Sequence, residues 1–142
     1  MPEPSRTSYR AFSLGLAVVF ASVGVVFLLW PREMLALFNG VSRRLGMSEG
    51  PVERSFFGVL AAAYMYVVTI LAWFMYRFPG EKVYPLILCQ AKLASSLLSF
   101  LMFFVHAPWL VYLVNGIVDG GLGLVVLMMF FNVRAAAGRG VR

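Results

Sequence analysis

The chain has 142 residues, 61% of them hydrophobic and only 13% charged, with a mean hydropathy of +0.85 and a net charge of +6. Soluble domains carry about 45–50% apolar and about 25% charged residues, so the composition excludes an ordinary soluble domain and indicates a membrane protein. The twelve Lys and Arg residues lie mostly at the ends of apolar segments rather than on one basic face, which argues against nucleic acid as a partner. One cysteine, Cys89, and one histidine, His106, exclude an internal disulfide and leave too few ligands for a His/Cys metal or haem site, so no metal and no cofactor are expected.

At about 20 residues per span, this length accommodates about four spans in a single membrane domain, 1–142. The first span is expected over 11–30, ending in Trp30-Pro31, with the indole at the membrane interface. A signal peptide is the competing reading, because Arg6 and Arg10 precede the apolar core. That core exceeds the ~7–15 residues of a signal sequence, and Trp30-Pro31-Arg32-Glu33 is no small-residue cleavage site; a retained span is expected. Met34, Leu35, Leu37, Phe38 and Val41 then form a helix-like apolar stripe that Pro31 opens and Asn39-Gly40 should close. A helix over 31–39 is too short to cross and should lie on the membrane surface or over the bundle mouth, as a connector or as a lid.

The second span is expected over 55–76, opened by Glu53-Arg54 and rich in aromatic residues (Tyr64, Tyr66, Trp73, Tyr76). Pro79-Gly80 marks a turn. The third span, 85–105, and the fourth, 109–131, are joined by His106-Ala107-Pro108, a turn so tight that the two must form an antiparallel hairpin. A basic tail over 132–142 follows. Four spans place both termini and the middle loop on one side with seven positive residues, Arg6, Arg10, Arg77, Lys82, Arg134, Arg139 and Arg142. Arg32, Arg43, Arg44 and Arg54, four in number, fall on the other, so the positive-inside rule predicts both termini in the cytoplasm.

Chemistry concentrates in the last hairpin. Lys92 and Asp119 each lie well inside an apolar run, where a charge costs roughly 2.5–3.5 kcal/mol on insertion scales. A hairpin folded about Ala107 sets Lys92 level with residue 122, about 4–5 Å along the axis from Asp119, within reach of a lysine side chain. Ser95 or Ser96, and Ser99, share the Lys92 face, while Tyr112 and Asn115 share the Asp119 face. These six or so groups, Lys92, Asp119, Asn115, Tyr112, Ser96 and Ser99, are the candidate ligand or ion site; no catalytic residue is assigned, since no G-x-S-x-G elbow exists and His106 sits at the far turn. Gly116, Gly120 and Gly123 form a close-packing face for a neighbouring helix or a second copy, with Gly58 and Ala62, and Ala17 and Ala21, as matching small faces.

Pro31-x-x-Met34-Leu35, Gly40, Arg54 opening a span that contains Gly58, and a polar third span in a tight hairpin with a glycine-rich fourth occur in this order along the chain. In this the chain, over roughly residues 11–131, resembles the small DoxX-like four-helix membrane proteins of bacteria. The resemblance implies a bacterial inner-membrane protein, in some relatives an accessory subunit of a membrane redox system, and supplies no catalytic residue. Three functions are therefore open: a non-enzymatic accessory or assembly subunit docking on a second copy or a larger membrane complex; a small oligomeric transporter or channel using Lys92 and Asp119; and an intramembrane binder or enzyme for a lipid-soluble molecule.

Overall fold

The structure, a computed structural model, describes residues 4–50 and 56–139. Five helices follow in order: α1 (Pro4–Leu29), α2 (Pro31–Arg44), α3 (Phe56–Arg77), α4 (Val83–Val105) and α5 (Leu110–Arg139). Four are long and apolar enough to cross a membrane, over Arg6–Leu29, Gly58–Arg77, Val83–Val105 and Leu110–Ala135. The chain is thus an all-α four-helix membrane bundle with one short additional helix. The expected start of the second span at Ser55, and the Glu53-Arg54 pair before it, lie outside the described residues.

Inward positions recur every three or four residues, the spacing that turns a helical stripe toward its neighbours. On α1 they are Tyr9, Ser13, Leu16, Ala17 and Phe20; on α3, Val68, Ala72 and Met75; on α4, Leu88, Cys89, Lys92, Ser96 and Ser99; on α5, Asp119, Val126 and Phe130. α1 packs chiefly on α3 and α4 chiefly on α5, giving two antiparallel pairs laid against each other. Outward positions such as Val18, Leu28, Tyr66, Leu97, Phe104 and Met128 are exposed apolar side chains, as a surface facing hydrocarbon requires.

The packing is uneven along the axis. The apolar core cluster (Tyr9, Leu16, Ala17, Phe20, Val68, Ala72, Met75, Leu88, Cys89, Val126, Phe130) lies mainly in the half of the bundle that carries the termini and reaches the middle at Phe20. In the opposite half, inward positions hold small or polar residues, Gly58, Ala61, Ser95, Ser99 and Asn115, which are too small to fill the space between the helix pairs.

Three expected boundaries are corrected. The first helix begins at Pro4 rather than residue 11, because Tyr9 is inward-facing and fully buried. Residues 132–139 of the expected tail continue α5, which runs on to Arg139, and 140–142 lie outside the described residues. The surface helix does not stop at Asn39-Gly40 but continues to Arg44 and ends at Gly46, whose φ of 68° is the left-handed conformation that closes a helix. Asn39 instead turns its side chain across the following loop: its Nδ2 donates to the Gly50 carbonyl (2.7 Å) and its Oδ1 accepts from the Gly50 amide (2.9 Å). Leu37 and Val41, expected on the apolar stripe, are exposed; the inward face of α2 is Pro31, Met34, Leu35, Phe38 and Ser42.

The loop after α2 is clasped a second time by Arg43, whose guanidinium donates to both carboxylate oxygens of Glu49 (2.9 and 3.1 Å). A side chain at Gly50 would stand 3.5 Å from the Trp109 ring, so this loop rests on the start of α5. Hydrogen bonds from Arg43, with its positive charge, hold the Glu49 carboxyl below the ordinary glutamate value of 4.5. A depressed carboxylate pKa contributes stability that is present above the ordinary value and lost as pH falls through the lowered one. An NMR titration of the Gly50 amide is expected to show its transition below pH 4.5, and Arg43→Gln is expected to return that transition to about 4.5.

Candidate functional site

Where the packed half meets the open half, all four spanning helices converge on Lys92. Its Nζ donates to Asp119 Oδ1 at 2.7 Å, and the two residues are 1% and 2% exposed. The ammonium also lies 4.6 Å from the centre of the Phe20 ring on α1 and 5.0 Å from that of Tyr64 on α3. Ring faces attract a cation within about 6 Å, so one carboxylate and two aromatic faces enclose the charge. The register worked out for the α4–α5 hairpin thus brings the two charges together. The turn closes as that register requires: the His106 and Ala107 amides both donate to the Met102 carbonyl (3.0 and 3.1 Å), and the imidazole is exposed.

Toward the α2 end, a second polar layer joins the same helices. Asn115 Nδ2 donates to Ser99 Oγ (2.8 Å) and Ser95 Oγ (3.1 Å). Ser96, one residue from Ser95 but turned to α5, donates to the Gly116 carbonyl at 2.6 Å. The glycine face of α5 receives α4 closely: a Cβ at Gly116 would lie 3.0 Å from the Phe100 ring, at Gly120 2.7 Å from Ser96 Oγ, and at Gly123 3.2 Å from Leu93. That face is occupied within the chain and does not offer itself to a second copy. Gly58 differs from expectation. A Cβ there would find only Pro31, at 4.0 Å, because the close approach of α3 to α1 lies elsewhere, at Gly24 and Met65.

Above the polar layer a cavity of about 590 Å³ opens between the helix pairs. Phe27 and Leu28 of α1, Pro31 and Leu35 of α2, Gly58, Val59, Ala61, Tyr64 and Met65 of α3 form its apolar and aromatic wall, and Ser95, Ser99, Tyr112 and Asn115 its polar edge. From α2 only Pro31 and Leu35, in its first two turns, reach the cavity wall. A second opening, about 480 Å³, lies along the α3–α4 seam beside Ala91, Ala94, Leu98 and Met102, and shares Tyr64, Ser95, Ser99 and Tyr112 with the first.

The sequence-derived candidates therefore separate into two groups. Tyr112, Asn115 and Ser99 line the cavity; Lys92 and Asp119 pair with each other beneath it; Ser96 belongs to the helix contact. Sequence reasoning did not single out Tyr64 as a site residue, although it touches both the Lys92 charge and the cavity; its position four residues before Val68 on the buried face of α3 was the available signal. Phe20 was likewise missed, being indistinguishable in sequence from any core phenylalanine. Gln90, two residues before Lys92 on α4, is exposed.

Compared with protein-family models, curated proteins and solved structures, the chain finds no match. Its class rests on its own geometry, a four-span membrane bundle hollow in one half and closed by a buried ion pair.

Proposed function

We propose that this protein binds a lipid-soluble molecule in the cavity between its helix pairs, without catalysing a reaction of its own. The observation that carries this reading is the cavity itself. Its volume falls within the ~300–1,000 Å³ of small-molecule sites, and its lining is the usual combination of apolar walls with a few convergent polar groups. The lateral opening on the α3–α4 seam lies along residues 91–102 of α4, well inside its membrane-crossing stretch Val83–Val105. In this reading Lys92 and Asp119 hold the four helices at fixed spacing under the cavity. A transport role would need them to part, and the packed core cluster lies between them and the terminal end. An assembly role draws on the glycine faces and the aromatic belts, and of these the α5 glycine face is taken up by α4.

By the balance of seven positive residues against four, both termini lie in the cytoplasm and the cavity opens in the outer half of the bilayer. That this membrane is a bacterial inner membrane is what the resemblance to DoxX-like proteins implies.

Purification in mild detergent followed by solvent extraction and mass spectrometry tests the reading. One lipid-soluble species is expected near one equivalent per chain, enriched over its share of the membrane. Ala61→Trp, which narrows the cavity, should lower that occupancy several-fold, while Ala63→Trp on the exposed face of the same helix should not. A wild-type extract with the composition of bulk membrane lipid would overturn it.

A further inference from the structure

Resting on that reading, we propose that the head of the bound molecule is a neutral hydrogen-bond acceptor, a carbonyl oxygen, and that its apolar chain leaves through the α3–α4 seam. Three observations converge on this chemistry.

The first is charge. None of the fourteen residues lining the cavity is acidic, basic or histidine. A charged head would give up its hydration there and meet no counter-charge, because Lys92 and Asp119, just below, already neutralise one another.

The second is the direction of the donors. Asn115 spends both amide hydrogens, one on Ser95 Oγ and one on Ser99 Oγ. A hydroxyl that accepts at its lone pair still has its own proton to give, and accepting makes it a better donor. Tyr112 adds a phenol to the same rim. The Tyr64 hydroxyl lies beside Ser95, buried, and closes no hydrogen bond of good geometry. A buried donor without a partner is costly, and an acceptor oxygen delivered to this rim relieves it. The site thus presents hydroxyl protons to whatever enters.

The third is the route for a chain. The seam opening includes the polar rim and extends along α4 on both sides of it, to Ala91 and Ala94 one way and to Leu98 and Met102 the other. The two alanines keep a slot beside the helix, and a methionine adapts its shape to a flexible occupant. A head at Ser95 and Ser99 places a hydrocarbon chain in that slot and in contact with the bilayer.

Two sources in a membrane carry a neutral carbonyl on a long apolar chain, isoprenoid quinones and acyl esters of glycerol, and the test separates them. The full chain, with Trp30 and Trp73 changed to Phe, reports through Trp109, which stacks on Tyr112 at 5.4 Å. Saturable change in its fluorescence, together with thermal stabilisation, is measured for four probes: a decyl benzoquinone, didecanoylglycerol, decylamine and decane. At least one carbonyl probe is expected to bind ten times or more tightly than decylamine and decane, and which one does so identifies the source. Ser95→Ala with Ser99→Ala is expected to weaken that probe about tenfold, and Ser99→Thr, which keeps the hydroxyl, to retain it. Helicity and monodispersity of each variant are checked alongside. Equal binding of decane or decylamine, or undiminished binding by the double alanine variant, overturns the acceptor assignment while leaving a ligand-binding cavity. Binding of none of the four overturns the assignment and the binding role together.

Discussion

Lys92→Met alone, or Asp119→Leu alone, is expected to lower stability by about 3–5 kcal/mol, and the two changes together to recover most of that loss. The asymmetry follows from what each partner leaves behind. With Asp119 gone, the ammonium keeps only the faces of Phe20 and Tyr64, at 4.6 and 5.0 Å. With Lys92 gone, Asp119 loses its bond at Oδ1, and its Oδ2 already lies buried without a hydrogen-bond partner. A buried pair is a weak source of net stability compared with apolar side chains of similar volume, yet breaking it is expensive. Denaturant or thermal unfolding in detergent, arranged as a double-mutant cycle, measures the coupling. Single variants within about 0.5 kcal/mol of wild type would contradict the pairing.

The second large effect is expected at Gly24. A Cβ there would stand 3.0 Å from the Cβ of Met65, an atom fixed to the α3 backbone that cannot swing aside. Gly24→Ala must therefore push α1 and α3 apart or bend one of them, at a cost of about 1–3 kcal/mol, as for other overpacked sites. Gly15 is the control on the same helix, with nothing within 4 Å of the added carbon. Gly15→Ala is expected to be neutral or to stabilise by up to about 1 kcal/mol, the helix-propensity difference. Thermal unfolding of the two variants side by side gives the contrast; equal midpoints would mean that α1 and α3 do not approach as described.

Much of the fold was legible from hydropathy because bilayer thickness imposes span length, and the turn at Ala107-Pro108 fixes the register of α4 on α5. That register alone brought Lys92 to Asp119, without knowledge of the other helices. The remainder depended on volume, which periodicity does not carry. Gly58, Ala61, Ser95, Ser99 and Asn115 each look like ordinary inward positions, and only their meeting at one level, from three helices, leaves a cavity. Which helices pair tightly was equally hidden. Gly24 and Gly58 are both glycines near the same end of the bundle, but an added carbon would stand 3.0 Å from the nearest Cβ at Gly24 and 4.0 Å from it at Gly58. The length of α2 was misjudged because Asn39-Gly40 has a stop-signal composition. A glycine ends a helix through its conformation, and the positive φ belongs to Gly46.

The adjacent residues Ser95 and Ser96 test the central claim most directly. Ser95 faces the cavity, whereas Ser96 is buried against Gly116 and Gly120. The protein as Ser95→Cys is expected to react with a small uncharged maleimide in lipid nanodiscs, and to be protected by the probe that binds. Ser96→Cys should stay as unreactive as the buried native Cys89. Equal reaction at both positions would contradict a bundle that is open on one side of α4 and closed on the other.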